Sequence, residues 1–172
     1  MIVIREADKK DIDSVNYVLR NSWRAAYRGI VSDDYLDGLA MDHWCEFLEK
    51  GLREHSIFVL VLERGDQIIG AAVLSPAARE GAVCLLSFYL LPEETGKGLG
   101  HMFYQGIEAE SVKRGYTDCV LDVLQDNQRA VGFYCSHGFR ATGRTTDAVL
   151  GNRTYTCDIL EKALAGSALT PI

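Results

Sequence analysis

Residues 82–100 read AVCLLSFYLLPEETGKGLG and contain the most informative pattern in the chain. The segment Ala82–Leu91 is a nearly continuous apolar run, which is typical of a central strand whose two faces are both covered. Pro92 ends that strand, and glycines at alternate positions then open a predicted helix from about Gly98 to Arg114. The stretch therefore predicts a buried strand, a glycine-rich loop and a helix in direct succession.

The glycine-rich loop is suited to binding phosphate. Where a loop opens a helix, free backbone N–H groups converge at the positive end of the helix dipole. Gly96, Gly98 and Gly100 allow the backbone to close around oxygen atoms without interference from a Cβ atom. A plain glycine turn is the alternative, but three alternating glycines lower helix stability in the first turn. The pattern therefore favours a ligand that contains phosphate.

Two familiar phosphate-binding motifs do not fit this loop. A Walker A loop needs Ser or Thr after its Gly-Lys pair, whereas Gly98 follows Lys97 here. A dinucleotide fingerprint needs glycine at position 101, which is His101, although Asp122 lies where the ribose-binding acid would be expected. The Pro-Glu-Glu-Thr insert also separates the strand from the glycines. A dinucleotide-dependent oxidoreductase is therefore a disfavoured alternative.

The rest of the chain predicts an α/β fold with a mixed, mostly antiparallel central sheet and helices on both faces. One strand and several helices precede a hairpin, the central strand, a β-α-β unit and a last hairpin turning at Gly151-Asn152. The predicted strands outside the central one are Ile2–Arg5, Ser56–Leu62, Gln67–Leu74, Asp118–Val123, Thr142–Leu150 and Arg153–Leu160. We expect a single domain over residues 1–172, with a frayed tail over 163–172.

Composition narrows the class of protein. The 172 residues carry a formal net charge of −6, which argues against a nucleic-acid binder. No apolar run approaches the roughly 18 residues of a membrane span, and the charged start MIVIREADKK does not resemble a signal peptide. Five widely spaced cysteines without a CxxC pair predict reduced thiols, mostly buried, and no metal site. We therefore expect a cytoplasmic protein without membrane partners; a catalytic cysteine is a further alternative.

A second sequence motif follows the glycine-rich loop, and the two motifs together resemble those of a known family. Residues 121–139 read LDVLQDNQRAVGFYCSHGF, a strand followed by Asn-x-x-Ala-x-x-Phe-Tyr and a closing Gly-Phe. Together with Phe88–Gly100, this block resembles the two hallmarks of the GNAT N-acetyltransferase superfamily, in the expected order and separation. The resemblance implies acetyl-CoA as cosubstrate. It also implies transfer of the acetyl group to a primary amine of a small molecule or peptide, by direct attack in a ternary complex.

The resemblance also assigns roles to residues. It implies that the backbone near Tyr89 and Leu90 pairs with the pantetheine arm, that Asn127 hydrogen-bonds this arm, and that Tyr134 protonates the departing CoA thiolate. Asn127 and Tyr134 are seven residues apart and thus share a helix face. The small side chain of Ala130 lies between them, so one extended ligand can contact both. The pyrophosphate would be held by the loop residues Thr95, Gly96, Lys97, Gly98, Leu99 and Gly100. Lys97 would be the main nearby cation.

Two positions depart from the family pattern. Thr95 stands where Arg or Gln is usual, and Cys84 stands where some relatives carry a glutamate base on the central strand. The base is therefore not identified; a carboxylate elsewhere could act through ordered water. A CoA-binding regulatory module without turnover is the alternative function that these departures suggest.

The amine acceptor is expected between the N-terminal helices, the central strand and the final hairpin. Trp23, Tyr27 and Tyr155 are candidate wall residues, with ordinary core packing as the alternative for each. Residues 31–54 contain seven acidic side chains against Lys50 and Arg53, which favours either a solvated helix face or attraction of a cationic amine. The resemblance also suggests that two copies pair through edge strands and the final hairpin.

Overall fold

A computed structural model describes residues 1–164 as one seven-stranded sheet with five α-helices. The sheet order is β1-β2-β3-β4-β5-β7-β6, and every neighbouring pair is antiparallel except β4 and β5. The strands are β1 Ile2–Glu6, β2 Phe58–Arg64, β3 Gln67–Pro76, β4 Ala82–Leu90, β5 Asp118–Leu124, β6 Arg140–Leu150 and β7 Arg153–Ala163. The predicted mixed, mostly antiparallel sheet is confirmed.

The helices begin and end where the local sequence supplies suitable residues. They are α1 Ile12–Ala26, α2 Asp33–Asp37, α3 Cys45–Arg53, α4 Leu99–Lys113 and α5 Gln128–Ser136. Ser32 caps α2 by accepting the N–H of Tyr35, and Asn127 caps α5 by accepting the N–H of Ala130. Gly115 follows α4 with a φ of 91°, a left-handed conformation that glycine adopts readily. No helix within residues 1–164 is long and apolar enough to cross a membrane.

The central strand β4 shows that helices cover both faces of the sheet. Successive side chains of a strand point to opposite faces. Phe88 packs against Phe103 of α4, with ring centroids 5.5 Å apart, whereas the next residue, Tyr89, hydrogen-bonds Tyr27 at the end of α1. Helices α1 and α4 therefore lie on opposite faces, as the element order predicts.

The parallel strands β4 and β5 stay together over only three residue pairs. Their register runs from Ala82 opposite Asp118 to Cys84 opposite Val120 and goes no further. Beyond Cys84, β4 pairs only with β3 and β5 pairs only with β7. A wedge therefore opens in the middle of the sheet, and one edge of β4 is free to hydrogen-bond a ligand.

Two expectations need correction. Ala163 is not frayed, because it pairs with Asp118 as the last residue of β7, and Leu164 is buried. The remainder of the predicted tail, 165–172, lies outside the described residues. The thiols are not mostly buried: Cys119 and Cys157 are buried, Cys45 and Cys84 are half-buried, and Cys135 on α5 is exposed.

Candidate active site

A cavity of about 760 Å³ lies at the wedge between β4 and β5. Its walls come from α1, the end of β4, the glycine-rich loop and α5. They include the predicted residues Tyr89, Leu90, Thr95, Gly96, Gly98, Gly100, Asn127, Ala130 and Tyr134. The structure thus brings the two sequence blocks together around one space. Five other candidates, Lys97, Leu99, Trp23, Tyr27 and Tyr155, do not line this cavity.

The glycine-rich loop presents its backbone to the cavity. Pro92–Glu94 form a 3₁₀ turn, after which Gly96 and Gly98 adopt φ values of 76° and 77°. These left-handed conformations turn the chain sharply into α4, whose first backbone N–H groups have no partner within the helix. The loop therefore has the backbone conformation that the sequence predicts, and its amides stay our predicted contact for phosphate.

The Glu94 side chain anchors this loop through two hydrogen bonds. Its buried carboxylate accepts hydrogen bonds from Arg64 at 2.8 Å and from Lys97 at 3.3 Å. Hydrogen bonding to Arg64, and less strongly to Lys97, lowers the pKa of Glu94. Lys97 is thus paired with Glu94 and does not line the cavity, and its expected place as the main cation beside the ligand stays a prediction. Arg129, at the start of α5, lines the cavity instead.

Thr95 uses its side chain within the loop. The Thr95 hydroxyl donates to the backbone carbonyl of Pro92 at 2.8 Å. This bond holds the turn in shape and leaves the backbone around Thr95 to face the cavity. Replacing the usual Arg or Gln by Thr therefore removes a long donor arm without disturbing the arrangement of backbone amides.

The free edge of β4 offers one particular donor. Leu91 donates its N–H to Ile69 of β3 at 2.9 Å. Because the amides of successive strand residues point to opposite edges, the N–H of Leu90 points away from β3, towards the wedge. The Leu90 carbonyl is already bound, since the Ser22 hydroxyl donates to it at 2.7 Å. Ser22 therefore fixes the end of β4 and leaves the Leu90 N–H available for a ligand.

Helix α5 supplies the opposite wall. Asn127 and Tyr134 both line the cavity with Ala130 between them, as the seven-residue spacing predicts. None of residues 1–164 hydrogen-bonds the Tyr134 hydroxyl. Burial raises the pKa of Tyr134, so the phenol remains protonated at neutral pH. The cavity wall thus includes a protonated phenol whose hydroxyl has no hydrogen-bond partner among the described residues.

The predicted acceptor residues form a separate aromatic cluster behind β4. Trp23, Tyr27 and Tyr155 all belong to it, together with Tyr89, which also lines the cavity. Tyr27 and Tyr89 place their hydroxyl oxygens 2.8 Å apart. The hydroxyl oxygen of Tyr155 is buried and lacks a partner among the described residues. This cluster covers the sheet face opposite α4.

Cys84 and Asp122 lie on the same side of the sheet as this aromatic cluster. Cys84 pairs with Val120, and Asp122 follows two residues later on the same face of β5. Burial raises the pKa of the Cys84 thiol to about 11, with a smaller contribution from the charge of Asp122. Burial also raises the pKa of Asp122. Cys84 is therefore protonated at neutral pH, and Asp122 is the neighbouring carboxylate.

Several contacts at the site could not be read from sequence spacing. Ser22 and Leu90 are 68 residues apart, and Glu94 binds Arg64 across 30 residues. His101 and His137 also meet at the cavity, with ring nitrogens 2.8 Å apart, and join α4 to α5. No local motif signals these pairs, because each depends on how the sheet brings distant elements together.

Comparisons with known proteins agree with this geometry. A family model described as "Acetyltransferase (GNAT) family" matches residues 17–139. Spermidine N(1)-acetyltransferase of Thermoplasma acidophilum is 30% identical over 146 residues, which are 81% of this chain and 88% of the relative. The structure of PaiA N-acetyltransferase from Thermoplasma acidophilum, in complex with coenzyme A, has a TM-score of 0.75 at 26% identity. The match covers 95% of this chain and 99% of the PaiA chain.

A more distant solved structure has the same fold. YncA, a putative acetyltransferase of Salmonella typhimurium with its cofactor acetyl-CoA, has a TM-score of 0.71 at 21% identity. The match covers 99% of this chain and 98% of the YncA chain. The shared architecture therefore spans the whole sheet and is not confined to the two motif blocks.

Proposed function

Because the chain belongs to the GNAT acetyltransferase family, we propose that it transfers the acetyl group of acetyl-CoA to a primary amine. The acceptor is a small molecule or a peptide, and the amine attacks directly in a ternary complex. The observation that carries this proposal is the wedge: a free β4 edge leads into a left-handed glycine loop, opposite Asn127 and Tyr134. A relative crystallised with coenzyme A supports the choice of cosubstrate.

The cosubstrate would lie along the cavity with its phosphates at the loop. The pyrophosphate binds the amides of Thr95–Gly100 at the start of α4, where the helix dipole favours negative charge. The pantetheine arm is a chain of amides, and it adds to the open edge of β4 as an extra strand would. Asn127 contacts this arm from the opposite wall, which brings the thioester towards Tyr134.

The chemistry then follows from the groups around the thioester. The amine lone pair forms a bond to the acetyl carbon, and the carbonyl electrons move onto oxygen. The N–H of Leu90 donates to this developing oxyanion. When the intermediate collapses, the carbon–sulfur bond breaks and Tyr134 gives its proton to the sulfur. The nitrogen of the neutral amine loses one proton, Tyr134 regains a proton from solvent, and an amide and free CoA are the products.

Asp122 is the carboxylate that we assign to removal of the amine proton. Cys84 cannot take this role at neutral pH, because burial keeps its thiol protonated. Asp122 lies on the acceptor side of β5, and no cation pairs with it within residues 1–164. Its raised pKa makes it a better base than an ordinary aspartate. The proton would pass to it through ordered water.

We propose that the acceptor is cationic, as the spermidine named for the Thermoplasma acidophilum relative is. The net charge of −6 supports this assignment. Not all acids of residues 31–54 contribute, because Asp33 and Asp37 form ion pairs with Arg28. The exposed carboxylates outside this network would provide the attraction. Spermidine, other polyamines, aminoglycosides and peptides with free N-termini are therefore the acceptors to compare.

A thiol-release assay with acetyl-CoA and this panel of amines tests the proposal, alongside calorimetric titration of CoA. We expect CoA to bind and at least one cationic amine to release thiol well above the rate without amine. Tight CoA binding with no release from any amine would contradict the proposal. That outcome would support the alternative of a CoA-binding regulatory module without turnover.

A further inference from the structure

Two histidines join the first turn of α4 to the end of α5 at the wall of the cavity. The Nδ1 atom of His101 and the Nε2 atom of His137 are 2.8 Å apart. Both residues line the cavity together with Gly98 and Gly100 of the glycine-rich loop. His101 is exposed and His137 is half-buried. The pair therefore lies open beside the turn that begins α4.

The contacts of His137 hold the pair in place. Its ring stacks on Phe133, with centroids 4.1 Å apart, and Phe133 in turn packs against Phe88 of β4 at 5.6 Å. The Nδ1 atom of His137 lies 2.7 Å from the backbone carbonyl oxygen of Phe133 and 3.2 Å from the Ser136 hydroxyl oxygen. The pair is thus attached to the end of α5 and, through Phe133, to the central strand.

The positions of the ring hydrogens follow from these contacts. A carbonyl oxygen can only accept, so the hydrogen between His137 and Phe133 lies on the Nδ1 atom of His137. Because a neutral imidazole has one N–H, the Nε2 of His137 accepts and the Nδ1 of His101 donates. The Nε2 of His101 then keeps a lone pair, and it has no hydrogen-bond partner within residues 1–164. This nitrogen is where the pair can take up a proton.

One proton can be added to the pair without breaking it. The proton converts His101 to an imidazolium whose Nδ1–H still donates to His137, and whose new Nε2–H is available to a ligand. A second proton, on the Nε2 of His137, would leave two N–H groups facing each other between the rings. The pair can therefore hold one positive charge, but not two.

The charged side chains around the pair offset one another. They are Lys162 of β7 with Glu108 of α4, whose charged groups are 2.6 Å apart, and Arg129 with Asp126 at the start of α5, which line the cavity. Tyr104 of α4 lies between His137 and Lys162, 5.1 Å from the His137 ring by centroids and 3.4 Å from the Lys162 Nζ by its hydroxyl oxygen. Burial raises the pKa of Tyr104, so this phenol stays neutral. A proton on the pair therefore adds net positive charge to the cavity wall.

The two helix ends indicate what such a proton would respond to. His137 follows the last turn of α5, where the helix dipole favours a cation, whereas His101 lies in the first turn of α4, where the dipole disfavours one. A phosphate bound at the start of α4 would reverse the second effect, because it places negative charge beside His101. The loop lysine does not supply this charge freely, since Lys97 pairs with Glu94. Binding of an anion and uptake of a proton should therefore favour each other.

We propose that the His101–His137 pair takes up one proton when CoA binds, and that the resulting Nε2–H of His101 donates to the pyrophosphate. The proton comes from solvent, and no covalent bond to carbon, sulfur or phosphorus changes. The inference rests on the proposed function and adds a charged side-chain contact to the backbone amides of the loop. Because the complex holds more protons than its separate components, CoA affinity should fall as pH rises from about 7 to about 8.5.

Calorimetric titration of CoA in buffers of different ionisation enthalpy counts the protons taken up on binding. The titration is made above about pH 7, where a phosphate monoester is already mostly ionised and exchanges few protons of its own. We expect uptake of up to one proton per site by the wild type and markedly less by His101→Gln. His43→Gln is the matched control, because His43 is exposed and lies outside the cavity. Its proton uptake should equal that of the wild type.

A permanent charge at the same position provides the second readout. His101→Lys should bind CoA without the proton uptake of the wild type. Near pH 8 its CoA affinity should exceed that of His101→Gln by on the order of tenfold, the effect of one hydrogen bond to a charged group. Equal proton uptake by the wild type and His101→Gln would overturn the inference, and so would equal CoA affinities of His101→Lys and His101→Gln.

Dephospho-CoA identifies the phosphate that the pair contacts. It keeps the pyrophosphate but lacks the 3′-phosphate, so the difference in proton uptake between the wild type and His101→Gln should persist. Loss of this difference with dephospho-CoA would contradict the contact to the pyrophosphate.

The two proposals fail in different ways. The calorimetric test needs CoA alone, so proton uptake is expected even before an acceptor is found. Failure of every amine to release thiol would contradict the proposed acetyl transfer while the proton uptake remains measurable. A wild-type enzyme that turns over, together with proton uptake that His101→Gln does not change, would contradict only the role of the histidine pair.

Discussion

Tyr134 is the residue on which the proposed chemistry depends most. It lines the wedge cavity, and no group within residues 1–164 binds its hydroxyl. Burial raises its pKa, which by itself would make it a weaker acid. The same environment also disfavours a free CoA thiolate, so we propose that the proton moves to sulfur as the carbon–sulfur bond breaks.

Substitution of this phenol should separate catalysis from binding. We expect Tyr134→Phe to lower kcat by about 100-fold or more, because a positioned general acid contributes roughly 10²–10⁴-fold. The dissociation constant of CoA should change much less, since the ring remains in place. Tyr17→Phe, at an exposed position of α1, is the control. Equal losses of turnover and of CoA affinity would instead indicate a packing role.

Asp122 carries a prediction about pH. Because burial raises its pKa and the carboxylate form is the base, kcat/KM should rise with pH through a value above that of an ordinary aspartate. Asp122→Asn should lower kcat/KM at neutral pH by at least tenfold and remove this rise. Asp118→Asn, at the other end of β5, should retain the wild-type profile. A pH profile that Asp122→Asn leaves intact would exclude Asp122 as the base.

At the scale of elements, the loop and the wedge can be traced to separate causes. The wedge arises because β4 and β5 part after three residue pairs, while each keeps its antiparallel neighbour. The loop arises because Gly96 and Gly98 adopt left-handed conformations between the 3₁₀ turn and α4. Glu94, in the 3₁₀ turn, accepts a hydrogen bond from Arg64 of β2 and so attaches the loop to the sheet. The free edge of β4 and the loop that we propose as the phosphate site are thus attached to the same sheet.

Two glycine-to-alanine substitutions, one in the loop and one in α5, test the left-handed conformation of the loop. Gly98→Ala meets no steric obstacle, but its φ of 77° strains an L-residue, so we expect a loss of about 1–2 kcal/mol in the free energy of unfolding. Gly132→Ala lies inside α5 and also has open space around its added Cβ. It should raise stability by roughly 0.5–1 kcal/mol. Denaturant titration measures both; equal effects of the same sign would contradict this reading of the loop.

Elements defined by local patterns could be predicted from sequence, whereas contacts between them could not. The apolar run of β4, the glycine loop, the Asn127 cap and the Gly151 turn are each encoded within a few residues. The Tyr27–Tyr89 pair joins positions 62 residues apart, and Ser22 reaches Leu90 across 68.

At the scale of the whole molecule, charge is arranged so that an acidic chain can still bind an anion. The net charge is −6, yet the loop that we propose as the phosphate site offers backbone amides and a helix dipole. Several carboxylates are meanwhile committed to ion pairs that hold elements together. Asp11 binds Arg5 at 2.8 Å, and Glu94 binds Arg64 at 2.8 Å. The family predicted from the two motif blocks is confirmed, and its fold is the one that combines these features.

These ion pairs make stability depend on pH in a defined direction. Hydrogen bonding to Arg5 lowers the pKa of Asp11, and hydrogen bonding to Arg64 lowers that of Glu94. Their contribution is therefore present above the pKa values of the unfolded chain, about 4, and is lost as pH falls through the lower folded values. We expect Tm to decrease below about pH 4. Asp11→Asn should flatten this decrease; a slope identical to the wild type would contradict the assignment.

Acetyl transfer to an amine in a ternary complex is tested most directly by following a ¹³C-labelled acetyl group by mass spectrometry. The protein is incubated with labelled acetyl-CoA and the panel of cationic amines. We predict that the label appears on an amine nitrogen in step with thiol release, and that none is retained covalently on the protein. Label found on a cysteine of the protein, or CoA binding without any labelled amine, would contradict direct acetyl transfer.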